Sequence, residues 1–349
     1  MRRWIGHYTV RFGLHRLRRM RRWSRWHSLV LAVLMLLFVG AAINGWSWFT
    51  TGQMVLEGIH ASRQKLPPSP PLVGNLLLVS PHPDDESLAA GGMISDVIRR
   101  GGRVSIVWLT NGDAFEWDVR FQFRKFFPDA REFIDLGKVR MQEARLAAKE
   151  LGVRDEDMYF LGFPDQGLMS LYTKNYLSPY RNPFTGVQVV PYQGVYRLGS
   201  PYTGWALERQ LGEIFRKVNP QIILAPSLND GHPDHRVGGY LATRLWSMRF
   251  RKSKLYYYLV HGGFEWPLPK GLHPQLALVP PQLTEDGLAW RSYDLSKESL
   301  ERKQAAIGRH ITQLNILSRF MWAFVRQNEL LLPAPVAGLE SSDDPRSIP

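Results

Sequence analysis

The chain has 349 residues, 44% of them hydrophobic and 12% aromatic, which supplies a substantial core and excludes wholesale disorder. It contains no cysteine, so disulfides, thiolate metal sites and cysteine nucleophiles are excluded, and any metal must sit on His, Asp or Glu. The net charge is +13, but nine arginines at 2, 3, 11, 16, 18, 19, 21, 22 and 25, with no acid among residues 1–27, account for +9 and leave +4 for the rest. A body so near neutrality is not a phosphate-binding surface, and nucleic acid is not expected as a partner.

In chain order, the basic segment 1–27 is followed by SLVLAVLMLLFVGAAINGWSWF over 28–49. This run has no charge and as a helix would rise roughly 33 Å, about the thickness of a bilayer core. Trp23 and Trp26 flank it on one side and Trp46 and Trp48 on the other, as interfacial aromatic belts do. The expectation is a single-pass transmembrane anchor with the arginines cytoplasmic and the catalytic domain extracytoplasmic. Absence of cysteine is compatible with such an oxidising location. A buried core helix and a cleaved signal peptide are the rivals; the basic region is long for a signal peptide, and GAAING is a loose match to a cleavage site.

Residues 50–73 read as a tether, with four prolines in ASRQKLPPSPPLV (61–73) stiffening it. A domain is then expected over 74–330. Apolar runs at 75–80, 103–110, 157–163, 221–227 and 254–261 read as strands buried on both faces. Helical stretches at 85–100, 138–151, 204–218 and 234–248 lie between them, and one last helix covers about 296–326. Such alternation predicts an α/β fold, a Rossmann-like, mainly parallel sheet with helices on both faces. Two insertions interrupt it. Residues 114–136 are rich in Phe and Arg, and 168–203 are rich in Tyr. Their aromatics suit stacking on sugars, a local mini-core or a membrane-facing lip. The tail 331–349 reads as disordered.

Two segments carry chemistry. The first strand runs into Ser80-Pro81-His82-Pro83-Asp84-Asp85-Glu86, and the fourth into Asn229-Asp230-Gly231-His232-Pro233-Asp234-His235. Each stands after a strand and before a helix, the position where open α/β sheets form their sites. Prolines beside His82 restrict how its ring is presented, and acids at a helix N-terminus are stabilised by free N–H groups. In a parallel sheet both corners lie on one edge, so they converge. A His/Asp/His set with open positions is a common hydrolytic metal site. One such motif alone is readily an acidic helix cap with an incidental histidine; two in matching contexts are not.

From about Asn75 to Gln313 the sequence resembles the PIG-L/LmbE family of zinc-dependent N-deacetylases. PHPDDE (81–86) and HPDH (232–235) are its most specific markers. Thr110-Asn111-Gly112, Arg140 with Glu143, and LGFPDQGL (161–168) are weaker ones. Lys303, His310 and Gln313 follow a family pattern in which Thr312 replaces a serine. The resemblance implies metal ligands at His82, Asp85 and His235, with Zn²⁺, or Fe²⁺ or Co²⁺, as the metal. It implies Asp84 as general base, His232 as oxyanion stabiliser or amine protonator, and Asp234 as the group that orients His232 and keeps it cationic. Zinc lowers the pKa of water to about 7. Arg140, Glu143 and Asp165 are candidate substrate contacts, although an Arg–Glu pair at i,i+3 is often structural. His261, at a strand end, is another possible site residue, although a lone strand-end histidine is more often simply hydrogen-bonded.

The anchor favours a membrane-associated or extracellular N-acetylglucosamine-containing glycan or glycolipid as substrate, since tethering concentrates the site near such molecules. The alternatives are a small glycoside or thiol-sugar conjugate, and a metal-bearing glycan-binding protein without activity.

Overall fold

The computed structural model describes residues 26–40, 65–263, 266–281 and 288–334, with scattered positions between 52 and 63. Two units are distinguished, Met1–Leu56 and Glu57–Pro349. In the first, residues 26–40 form helix α1, with exposed side chains over 26–39. Among the described residues no helix is long and apolar enough to cross a membrane. The expected span 28–49 continues past residue 40 outside the described residues, as does nearly all of the basic segment 1–27.

The second unit is built on a seven-stranded sheet. In chain order its strands are β1 (Leu76–Ser80), β2 (Val104–Thr110), β3 (Met158–Phe163), β4 (Ile222–Pro226), β5 (Lys254–Tyr258), β6 (Arg291–Asp294) and β7 (Asn328–Pro333). Their spatial order is β3-β2-β1-β4-β5-β7-β6. The first five are parallel and follow the expected strands closely. Their continuous burial, with every residue of β1 to β4 buried, is what a sheet covered on both faces requires.

The helices are α2 (Asp85–Arg99), α3 (Glu116–Phe123), α4 (Ala130–Glu150), α5 (Leu168–Thr173), α6 (Gly204–Val218), α7 (Pro233–Arg249), α8 (Lys297–Ile307) and α9 (Ile311–Trp322). α2 and α4 pack with α8, while α6 and α7 pack with α5 and against the strands, giving the two helical layers. Sequence sets their ends. Asp129 and Glu132 form a capping box at α4, so that helix starts at 130, eight residues earlier than apolar periodicity indicates. Thr203 caps α6 by accepting from the Ala206 N–H.

Three expectations are corrected. The single helix over 296–326 is two, α8 and α9, because the chain turns at Gly308–His310 and buries the His310 ring. The domain does not stop at 330: Leu331 and Leu332 are buried in β7, which pairs antiparallel with both β5 and β6. Residues 335–349 lie outside the described residues. The proline-rich stretch also docks in part, since Ser69 donates its N–H to Ser292 O at 2.7 Å and Ser292 donates to Pro67 O at 2.9 Å.

One buried ion pair ties the late elements to the early ones. Lys303 of α8 and Glu329 of β7 meet at 2.8 Å with neither side chain exposed. The same carboxylate accepts the Gly92 and Met93 N–H groups of α2, each at 2.8 Å. Removing one partner of such a pair leaves a buried charge uncompensated, at about 3–5 kcal/mol. Lys303→Met is expected to lose that much in urea denaturation, and Lys303→Met with Glu329→Gln to recover a large part. A single variant within about 1 kcal/mol of the parent would contradict this.

Candidate metal centre and active site

β1 and β4 are neighbours in the sheet, but their following helices cover opposite faces, so the strand order reverses between them. The crevice beyond their carboxyl ends is where ligands bind in open α/β folds. The turn after β1 delivers His82, Asp84 and Asp85; the turn after β4 delivers Asp230, His232, Asp234 and His235.

Three donor atoms converge there. His82 Nδ1 lies 3.4 Å from Asp85 Oδ2, His235 Nε2 lies 3.1 Å from the same oxygen, and the two ring nitrogens are 3.2 Å apart. Three ligands at zinc-bond length in a tetrahedral arrangement stand about 3.3 Å from one another. The triangle therefore fits one small divalent cation. Each ring turns its other nitrogen to a carboxylate. His82 Nε2 is 3.2 Å from Asp165 Oδ1 and 3.5 Å from Asp234 Oδ2, and His235 Nδ1 is 3.2 Å from Asp230 Oδ2. These nitrogens have no well-aligned hydrogen bond, so the contacts act mainly through charge. Such outer carboxylates fix ring orientation and raise ligand basicity.

Backbone amides hold the outer carboxylates in turn. Asp230 accepts from His232, Val260 and His261 N–H at 2.9–3.1 Å. Asp165 accepts from Ala114 N–H at 3.0 Å, and Asp234 from Gln166 and Leu168 N–H at 2.7 and 3.1 Å. The crevice draws positive charge. Although burial pushes the Asp85 carboxyl up, His235 and His82 hold it well below the usual carboxylate range. Although burial lowers His235, Asp230 and Asp85 raise it to about 9. A divalent cation satisfies the same carboxylates.

Asp84 stands beside the triangle in a strained backbone, φ 130° and ψ −30°. A non-glycine residue in such a region costs about 1–3 kcal/mol and persists only when its surroundings impose it. Here Glu86 accepts the Asp84 N–H at 3.0 Å. Arg140 of α4 donates to Pro83 O at 2.8 Å and to Asp84 Oδ2 at 3.2 Å, and to Gly112 O at 2.8 Å. A Cβ on Gly112 would lie 2.1 Å from Arg140 Nη1, so the Thr-Asn-Gly turn needs its glycine to admit the guanidinium. Burial raises the Asp84 carboxyl to about 7; Arg140 pulls it down and Asp85 pushes it up. A base suited to neutral pH has such a pKa.

The geometry changes several expected roles. His232 Nδ1 accepts the Asp234 backbone N–H at 3.2 Å, which leaves the ring proton on Nε2. Burial and the neighbouring His82 and His235 lower its pKa to about 3. The Asp234 carboxylate braces the turn at 166–168, and it is the Asp234 backbone N–H that bonds the His232 ring. Asp165 backs His82. Arg140 grips Asp84, while Glu143 accepts from the N–H and hydroxyl of Thr312 at 2.9 and 2.6 Å. These two form no ion pair with each other among the described residues, and both are buried.

Sequence reasoning missed Asp230 and misjudged His261. His261 lies 4.7 Å, ring to ring, from His235 and 5.2 Å from His232. Asp230 stood in the quoted motif, two residues before His232, but nothing in the spacing distinguishes a ring-orienting carboxylate from a turn residue. His310 reaches the site from behind, 3.1 Å from both Glu86 Oε1 and Ser87 Oγ.

A doubly wound α/β domain bearing a two-histidine, one-aspartate donor set at its switch point is the class that fold and site define. Residues 77–246 match the PIG-L family, described as GlcNAc-PI de-N-acetylase. Over those residues the chain is similar to the PIG-L family. It is 28% identical over 197 residues to 1D-myo-inositol 2-acetamido-2-deoxy-alpha-D-glucopyranoside deacetylase of Salinispora arenicola, covering 52% of this chain and 54% of that one. To the enzyme of the same name from Mycobacterium sp. strain KMS it is 25% identical over 300 residues, 82% of this chain and 88% of that one. The chain spans about half the length of the first curated relatives it matches. Among solved structures it is similar to N,N'-diacetylchitobiose deacetylase from Pyrococcus horikoshii, with a TM-score of 0.47 and 19% identity over 75% of this chain and 84% of that one.

His82→Ala and His235→Ala are expected to abolish tight Zn²⁺ binding in isothermal titration calorimetry. Asp230→Asn should weaken it by about 10–100-fold, as outer carboxylates typically do. Unchanged binding by either alanine variant contradicts the ligand triangle.

Proposed function

We propose that this chain is a metal-dependent N-deacetylase that hydrolyses the N-acetyl group of a 2-acetamido-2-deoxyglucoside, releasing acetate and a free amine. The observation that carries the reading is Asp84, a carboxylate with a raised pKa held in a strained turn beside three atoms suited to a cation. A divalent cation in that triangle, Zn²⁺ or alternatively Fe²⁺ or Co²⁺, supplies Lewis acidity for an unreactive amide. Asp84 takes a proton from the attacking water, with Arg140 fixing its second oxygen. The His232 Nε2–H donates to the oxygen that gains charge as the acyl carbon becomes tetrahedral. When the C–N bond breaks, the proton that Asp84 took from the water is available to the departing amine.

Two substrate readings have support. The apolar run at 28–49 favours a membrane-associated glycan or glycolipid. The names of the curated relatives favour a small N-acetylglucosaminyl-inositol glycoside. Acetate release from a panel of both types, with and without chelator, separates them, and no release from any member overturns the catalytic reading. Asp84→Asn should retain the metal and lose turnover by about 10²–10⁴, and His232→Ala by about 10²–10³. Normal turnover by metal-loaded Asp84→Asn would falsify its assignment as base.

The same reading places residues 1–27 in the cytoplasm, 28–49 across the membrane and the domain outside, on the strength of the one-sided arginines. A C-terminal reporter that is active only outside the cytoplasm is expected to report activity, and silence from it contradicts this orientation.

A further inference from the structure

Three buried residues of the sequence pattern have no task in the proposed reaction: His310, Thr312 and Gln313, at the cap and first turn of α9. Each bonds a different buried carboxylate, one on each of α2, α4 and α3. His310 Nε2 lies 3.1 Å from Glu86 Oε1. Thr312 donates its N–H to Glu143 Oε1 and its hydroxyl to Glu143 Oε2, at 2.9 and 2.6 Å. Gln313 Nε2 donates to Asp118 Oδ2 at 2.6 Å. None of the three bonds Asp84 or a donor of the triangle among the described residues.

These carboxylates bear on Asp84 from two sides. Glu86 Oε2 accepts the Asp84 N–H at 3.0 Å and the Trp108 Nε1–H at 2.8 Å, while Oε1 accepts the Ser87 hydroxyl at 2.8 Å and faces His310. Four partners fill the acceptor sites of an ionised carboxylate. Glu86 therefore cannot turn without leaving buried donors unpaired, and the amide end of the strained residue is fixed. On the carboxylate side, Arg140 donates to Asp84 Oδ2. Burial lowers the Arg140 guanidinium, while the charges of Asp84, Asp165, Asp118 and Glu143 raise it. Glu143 stands one helical turn from Arg140, where a free carboxylate competes for the guanidinium. Thr312 prevents that by engaging both Glu143 oxygens, and Gln313 holds Asp118 through one of its own.

We propose that His310, Thr312 and Gln313 are positioning residues for the base: they fix the Asp84 amide through Glu86 and keep Arg140 on the Asp84 carboxylate by occupying Glu143 and Asp118. The inference rests on the reading of Asp84 as general base. Thr312→Val keeps the shape and the backbone N–H but frees one Glu143 oxygen, Thr312→Ser restores the hydroxyl, and His310→Leu removes the contact to Glu86. Acetate release by the full-length protein is counted per bound Zn²⁺, so that misfolded chain does not enter the rate. Thr312→Val and His310→Leu are expected to lower kcat by about 10–100-fold. KM and Zn²⁺ affinity should stay within about twofold of the parent, and Thr312→Ser should recover most of the loss. In an Asp84→Asn background the same two substitutions should cost nothing further, because the group they position is gone; a general weakening of the fold lowers both backgrounds alike. With an active parent, unchanged kcat in both variants, no recovery by Thr312→Ser, or equal fractional losses in the two backgrounds overturns the proposal and leaves the catalytic reading standing. A parent that releases no acetate from any substrate overturns the catalytic reading, and this inference with it.

Discussion

The crevice depends on holding Asp84 in a backbone conformation that an L-residue avoids. The turn between β1 and α2 must release His82 towards one side, start a helix at Asp85, and leave the residue between them facing the same space. Positive φ at Asp84 achieves this, and Arg140 is the group that enforces it. It lies buried on α4, where it bonds the Pro83 and Gly112 carbonyls and Asp84, while Asp165, Asp118 and Glu143 also stabilise its charge. Relaxing the turn would strand a guanidinium in the interior, which costs more than the strain itself.

The surrounding network follows the same logic. Each imidazole in the triangle is aimed by a carboxylate, and each of those carboxylates is fixed by backbone N–H groups that are themselves part of turns. Asp230 receives three such bonds and Asp234 two. The carboxylate at 234, next to the ring it seemed placed to orient, spends its acceptors on a different loop. Its backbone N–H does the orienting. A backbone group that caps α7 by bonding the His232 ring cannot be replaced by changing a side chain, which makes that tautomer insensitive to most substitutions at 234.

Much of this was legible in the sequence. The five parallel strands showed as apolar runs because a sheet covered on both faces leaves no alternation to confuse the pattern, and the matched His-Pro-Asp corners marked its carboxyl edge. What escaped reading was long-range. β6 is short, β7 pairs antiparallel in a way no local pattern announces, and the prolines after Leu332 disguised a buried strand as a tail. Arg140 and Glu143 share a helical face and read as a pair. They part because Asp84 and the α9 N-terminus, both distant in sequence, offer each a better partner. His261 looked ordinary because a lone histidine carries no spacing; only the adjacency of β5 to β4 brings it beside His235.

The contact of Glu329 with the middle of α2 has a consequence for how the site comes into being during synthesis. Every donor atom of the triangle is present once residue 235 has emerged, yet the helix that carries Asp85 is secured by a carboxylate almost a hundred residues later. Until that strand arrives, Gly92 and Met93 lack the carboxylate that accepts their N–H groups. A nascent or clipped chain ending shortly before Glu329 would keep the donor atoms and the bonds of Ser299 and Tyr293 to Asp96 on α2, but not this acceptor for Gly92 and Met93. The last of the bonds that hold α2 is thus made late, by an element that touches no reacting atom.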